Sequence, residues 1–157
     1  MAFDFPNSPT NGQTFTPAGG PTYTYDSAGT KWTVGQISAT VPISTGSYTP
    51  TVSAGTNVAA TTALNTQYLR VADVVTVSGQ CDIDPISLAA TTTFGVSLPI
   101  ASDFTGALNC QGVMTAPGFT ETGYVTADVT NNQASLTFQS ATQNNHVVAF
   151  IFLYRVL

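Results

Sequence analysis

Charged side chains are scarce in this sequence: Asp, Glu, Lys and Arg make up 7% of its 157 residues, whereas soluble domains usually contain about 25%. Lys31, Arg70 and Arg155 are the only lysine and arginine residues, and the formal net charge is −5. So few bases leave no basic stripe that could neutralise phosphates. We therefore expect neither a nucleic-acid partner nor docking to an anionic membrane.

Long hydrophobic runs are also missing. The longest apolar stretch, residues 147–154, is far shorter than the roughly 20 residues of a membrane-spanning helix. Residues 1–6 show no positive region followed by an apolar run, so we expect no secretory signal. Synthesis in a reducing cytoplasm then predicts that Cys81 and Cys110, the only cysteines, are buried free thiols.

Residues for catalysis are sparse as well. His146 is the only histidine and follows Asn144 and Asn145. A catalytic base needs a positioned carboxylate and a nucleophile, and no motif supplies them. We interpret His146 as a polar residue at a strand edge and expect no enzymatic activity.

Asp82 and Asp84 are the best candidates for a cation site, because alternate residues of a strand project from the same side. Hard divalent cations, however, require about six oxygen ligands. A turn at Asp84–Pro85 that ends the strand explains the pair equally well. We favour the turn and expect neither a metal nor a cofactor.

Thr, Ser, Asn and Gln provide most of the polar surface, which favours strands and turns over solvated helices. In residues 1–35, short runs that alternate aromatic and hydroxyl side chains lie between Gly- and Pro-rich turns, a pattern typical of a β-meander. The meander is too small for an independent core. We interpret it as an attachment module, with Phe5, Phe15, Tyr23, Tyr25 and Trp32 as its characteristic residues. Of these, Tyr23, Tyr25 and Trp32 could form a sugar-stacking platform, but we favour a small core.

Residues 47–157 contain many short strands separated by turn signals, as expected for an antiparallel β-sandwich or jelly roll, and residues 36–46 are interpreted as a linker. Period-two alternation in 73–83 places Val75, Val77 and Cys81 on a buried face. Asn131 and Asn132 predict a hairpin. The predicted strands are 47–52, 57–62, 66–71, 73–83, 92–98, 107–114, 123–129, 133–139 and 146–156.

The last predicted strand is apolar on both faces. One face carries Val147, Ala149, Ile151 and Leu153, and the other carries Phe150, Phe152 and Tyr154. Because an antiparallel sandwich buries one face of each strand, the second face needs cover from another chain. We predict that Phe150, Phe152 and Tyr154 form a subunit contact and that the aliphatic face lies in the core, although the two faces could be exchanged.

Two segments carry a resemblance to a known group of proteins. Residues 5–9 (FPNSP), 12–15 (GQTF), 23–26 (YTYD) and 31–32 (KW) resemble a short module found repeatedly in virion proteins of tailed bacteriophages. Residues 46–51 (GSYTPT), 57–60 (NVAA), 67–71 (QYLRV) and 75–79 (VTVSG) are similar to a β domain of phage head-fibre, decoration or tail-fibre proteins. Together the two segments span most of the chain.

The resemblance implies a compact, usually trimeric β knob on a virion and brings no catalytic motif. A homotrimeric capsid decoration protein or short head fibre is the first interpretation, with other virion proteins, such as capsid, tail or neck proteins, as partners. The second interpretation is a tail-fibre or receptor-binding module that recognises a host surface glycan. A neck or baseplate adaptor is the weaker third one.

Overall fold

The computed structural model describes residues 4–34 and 41–157 and divides the chain into two compact units, with the boundary after Thr40. The only helical element in the described ranges is a single 3-10 turn at Ala107–Asn109. All strand pairs are antiparallel. The prediction of an all-β fold is therefore confirmed.

The first unit is a three-stranded meander. Its strands are β1 (Thr14–Phe15), β2 (Tyr23–Asp26) and β3 (Lys31–Val34), and they pair in that order. The turn from β2 to β3 is stabilised by the Asp26 carboxylate, which accepts a hydrogen bond of 3.0 Å from the Ala28 amide. Asp and Asn often make such bonds to a backbone amide two residues further along the chain.

The second unit contains one sheet of ten strands. In chain order they are β4 (Ile43–Tyr48), β5 (Val52–Ala54), β6 (Val58–Ala63), β7 (Thr66–Val71), β8 (Val74–Pro85), β9 (Thr91–Ser97), β10 (Cys110–Thr115), β11 (Thr122–Asp128), β12 (Gln133–Gln139) and β13 (His146–Arg155). Their order in the sheet is β4-β7-β8-β13-β10-β11-β12-β9-β5, and β6 pairs with the second half of β8.

The sheet curls until its two ends approach each other. Tyr48 on β4, at one end of the strand order, donates a hydrogen bond of 2.9 Å to the carbonyl of Ser97 on β9, near the other end. One curled sheet thus encloses the core that two separate sheets would form in a sandwich. The concave face holds the core, which includes Val77, Phe94 and Leu136.

Three predicted boundaries are corrected, the first because residues 107–109 of the predicted strand 107–114 form the 3-10 turn and β10 begins at Cys110. The predicted strand 47–52 is divided, because residues 49–51 separate β4 from β5 and Pro50 has no amide hydrogen for a ladder. Within the predicted linker 36–46, residues 43–46 belong to β4 and pair with residues 68–71 of β7. Residues 36–40 of that linker lie outside the described residues.

β13 is an interior strand of the sheet, between β8 and β10, and its two faces are exchanged relative to the prediction. We call the second unit the knob. Phe150, Phe152 and Tyr154 are 4%, 1% and 0% exposed and lie in the core of the knob, so they do not form a surface contact. Ile151 and Leu153 are 48% and 52% exposed on the outer face. The larger rings fill the concave side because it is the side that the curled sheet encloses.

The two cysteines are free and buried, as predicted. Cys81 lies opposite Val148 and Cys110 lies opposite Tyr154 on β13. Positions 148 and 154 of one strand are about 20 Å apart at about 3.3 Å per residue, and a disulfide requires Cα atoms within about 7 Å. The fold therefore keeps the two thiols apart.

The exchanged faces lead to a stability prediction. We expect Phe152→Ala to lower the free energy of unfolding by about 3–5 kcal/mol, because it removes a ring from a closed core. Leu108→Ala is the control: its side chain is 76% exposed, and we expect a change within about 0.5 kcal/mol. Urea unfolding at a fixed protein concentration measures both. An unchanged free energy of unfolding for Phe152→Ala would contradict the burial of this ring in the core.

Candidate functional site: the outer face of the curled sheet

The predicted attachment residues come together in the first unit. The Phe5 ring stacks on Trp32 at 5.1 Å between centroids and lies 5.2 Å from Phe15 and 5.1 Å from Tyr23. Tyr25 lies 5.3 Å from Trp32. All five rings are half-buried. They form the small core of the meander, because no aliphatic cluster is available to replace them.

Asp82 and Asp84 do lie on the same side of β8, between the buried residues Cys81, Ile83 and Pro85. The strand continues through Pro85, so the predicted turn at Asp84–Pro85 is displaced to residues 86–89. Within residues 4–34 and 41–157, no group of three or more His, Cys, Asp or Glu side chains could hold a metal ion.

His146 is not an edge residue: it is 6% exposed, and its Nε2 lies 2.6 Å from Oε2 of Glu121, a side chain that is itself buried. Its Nδ1 lies 2.8 Å from the carbonyl oxygen of Asn144. That carbonyl can only accept, so Nδ1 carries a hydrogen. The other carboxylate oxygen, Oε1, accepts a hydrogen bond from the amide of Ala141.

With both ring nitrogens engaged, the imidazole has none left to act as a base. The pair instead connects the loop before β11 to the loop before β13. Sequence reasoning missed this contact because Glu121 and His146 are distant in the chain and match no motif.

The outer face of the sheet carries a contiguous group of exposed apolar side chains. Ile151 lies directly opposite Val113 on β10, and Val113 lies opposite Tyr124 on β11. Leu153 is the next outward residue of β13, and Thr76 separates it from Leu69 on β7. We call Leu69, Val113, Tyr124, Ile151 and Leu153 the outer strip; each is between 43% and 59% exposed.

No charged side chain interrupts the outer face of β7, β8, β13 and β10 between Arg155 at one end and Asp82 at the other. Arg155 itself pairs with Asp73, and this pairing lowers the pKa of the Asp73 carboxyl. The outer strip is therefore apolar in an uncharged surrounding.

Hydroxyl and amide side chains surround the outer strip and have no hydrogen-bond partner among the described residues. They are Thr45, Ser47, Gln67, Thr76, Ser78, Gln80 and Thr115. On the opposite side of the curled sheet, one group of such side chains is paired: Ser53 donates to Gln133, and Gln133 donates to Asp128. The region around the strip thus keeps its hydrogen-bonding capacity free.

The sequence contained a partial signal for this surface. Val113 and Tyr124 stand at outward positions of strands whose inward neighbours, such as Met114 and Val125, are buried. Only the register of β10, β11 and β13 shows that these outward residues adjoin one another.

The buried acid–histidine pair provides a test of its structural role. We expect Glu121→Ala to cost about 1–3 kcal/mol of unfolding free energy, because it leaves the buried Nε2 of His146 without a hydrogen-bond partner. Glu121→Gln is the matched control and should cost less: its amide can donate to Nε2 of neutral His146 while its oxygen accepts from Ala141. Chemical denaturation at pH 7 compares them. Equal losses in the two variants would contradict this hydrogen-bond assignment.

No protein-family model and no curated protein matches the sequence. Among solved structures, the chain is similar to the reovirus attachment protein sigma1, whose crystal structure is of a complex with alpha-2,3-sialyllactose. The alignment covers 96% of this chain and 80% of that chain, with 13% sequence identity and a TM-score of 0.40. No helix in residues 4–34 or 41–157 is long and apolar enough to cross a membrane.

Proposed function

We propose that this chain is a non-enzymatic structural protein of a virus-particle surface: a homotrimeric capsid decoration protein or short head fibre of a tailed bacteriophage. The observation that carries the proposal is the exposed, uncharged outer strip on the central strands of a knob whose core is already complete. Such a surface indicates assembly with other protein chains. The phage-type sequence patterns in both units support the choice of particle.

The side chains that could perform chemistry have structural roles in the described parts of the chain. His146 is engaged at both nitrogens, and burial raises the pKa of the Cys81 and Cys110 thiols to about 12. Thiols with a raised pKa are poor nucleophiles near neutral pH. This arrangement supports a binding or structural role over a catalytic one.

The two units differ in their packing, and we assign them different roles. The first unit packs around half-buried aromatic rings, and the second encloses an extensive core of its own. In the proposed function, the first unit attaches the chain to the particle and the knob projects from it. Aromatic rings such as Trp32 combine an apolar face with a polar edge, which suits a protein contact.

A receptor-binding module is the second candidate, and the unpartnered hydroxyl and amide groups beside the outer strip favour it. Gln67, Ser78 and Gln80 could bond to the hydroxyl groups of a host glycan, while Ile151 offers an apolar surface to a sugar ring. The two candidates differ in copy number. Decoration proteins that cover a capsid are present in many copies per particle, whereas proteins at fibre tips are present in few copies.

Quantitative mass spectrometry of gradient-purified particles, together with a cryo-EM map, decides between them. The decoration function predicts many copies per particle, in a regular arrangement on the shell. A few copies at the end of a tail fibre would establish the receptor-binding alternative, and density in the neck or baseplate would indicate an adaptor. Absence from purified particles would contradict all three.

The attachment role of the first unit gives a mutational prediction. We expect Trp32→Ala to reduce incorporation into particles to background, because it removes the ring that contacts Phe5, Phe15 and Tyr25. The melting temperature of the knob should not change. Lys31→Ala, an exposed neighbour, should incorporate normally. Particle sedimentation followed by immunoblotting measures incorporation, and normal incorporation of Trp32→Ala would assign attachment to the knob.

A further inference from the structure

We propose that the outer strip is the surface through which copies of this chain assemble, with the outer strips of the other copies as its occupants around a symmetry axis. This inference rests on the proposed homotrimer and adds the surface that forms it. The outer strip takes the place of Phe150, Phe152 and Tyr154 as the proposed subunit contact, because those three side chains are buried in the core of the knob.

The first argument is the continuity of the apolar surface. Ile151, Val113 and Tyr124 are direct cross-strand neighbours on three adjacent strands, and Leu153 extends the group along β13. Scattered exposed apolar residues are normal on a soluble protein, whereas contiguous ones mark an interaction surface. The centre of a stable interface is typically apolar, depleted of charge and enriched in aromatic residues such as Tyr.

The second argument concerns charge and identifies the occupant. The chain has a net charge of −5, so a contact between two copies is least opposed where it brings no like charges close together. The outer strip lies in such a region, between Asp82 and Arg155. A basic or acidic partner would be selected by complementary charge, which this face does not offer. Another copy of the chain brings the same uncharged surface.

The third argument comes from the hydrogen-bonding groups around the strip. Hydroxyl and amide side chains both donate and accept, whereas carboxylates only accept and ammonium groups only donate. A surface bordered by Ser78, Gln67 and Thr115 can therefore pair with an identical surface. Because these groups have no partner within the described residues of one chain, their pairing across an interface displaces no internal bond.

The fourth argument is size and symmetry. A standard interface covers about 800 Å² and about 20–30 residues on each partner. The outer faces of β4, β7, β8, β13, β10 and β11 adjoin one another in the sheet, so the face that contains the outer strip extends across six strands. Around a three-fold axis, the same residues of all three copies can converge. β13, at the centre of this surface, would then lie nearest the axis.

Sedimentation velocity of the full chain and two matched variants tests the proposal. We expect a trimeric mass for the wild type and a monomeric mass for Leu153→Asp, because the new carboxylates would face one another in an apolar contact. Leu88→Asp makes the same change at a residue that is 59% exposed in the loop after β8. It should remain trimeric. Circular dichroism of each variant verifies the fold.

Chemical crosslinking provides a second measurement that does not depend on the stability of Leu153→Asp. Val113→Cys should give crosslinked trimers with a short trifunctional maleimide, which can join one thiol from each of three chains, whereas Leu88→Cys should not. The native thiols contribute little background, since Cys81 and Cys110 are buried and their pKa values are raised to about 12. Crosslinked trimers would place residue 113 of each copy near its counterparts.

The possible outcomes distinguish a failure of the proposed contact surface from a failure of the proposed trimer. A trimeric wild type with a trimeric Leu153→Asp and no crosslinking through Val113→Cys overturns the outer strip but leaves the trimer intact. A monomeric wild type over the whole concentration range overturns both. Loss of the trimer in both aspartate variants, with folded chains, would show that a more general effect of added charge is responsible and would overturn this surface.

Discussion

The structure depends on how β13 divides its apolar side chains between two environments. This strand lies inside the sheet, between β8 and β10, and its inward side chains run through the core from His146 to Tyr154. A sheet that curls around these rings can close only if one face of β13 is enclosed. The opposite face then lies on the convex surface, still apolar and without cover from the described residues of the knob. Packing inside the chain and an exposed strip outside it are therefore two results of one sequence pattern.

Polar contacts, most of them partly buried, connect the loops at one end of the strands of the curled sheet. The amide of Asn57 donates to the carbonyl of Ser87 and to the hydroxyl of Thr92, while Ser140 also donates to Ser87. The neighbouring residue of that loop, Ala141, donates to Glu121, which binds His146. Within the described residues, every buried side-chain nitrogen or oxygen has a hydrogen-bond partner. A half-satisfied network in this position would cost more than an apolar one, so the complete pairing accounts for polar residues such as Glu121 inside the fold.

The sequence predicted most of the strands because alternation is a local signal. The inward positions Val75, Val77 and Cys81 followed from period two alone, and Asn132, with a positive φ of 48°, forms the expected turn between β11 and β12. On β13 the same signal was ambiguous, since both faces are apolar and only the curl of the whole sheet decides which one is enclosed. The Glu121–His146 contact and the outer strip depend on the register between strands that are distant in sequence. Periodicity within one strand contains no information about that register.

Low charge connects the fold to the proposed assembly. Charged rims on exposed faces are a common protection against unwanted association between sheets, and this chain has almost none on its central strands. Uncharged hydroxyl and amide groups keep such a face hydrated while the chain is free, and they can exchange water for one another when identical faces meet. Aliphatic side chains such as Ile151 and Leu153 then gain burial without any charge having to be desolvated. In the proposed assembly, a surface of this composition would favour contact with its own copies over contact with charged partners, because no complementary charge attracts the latter.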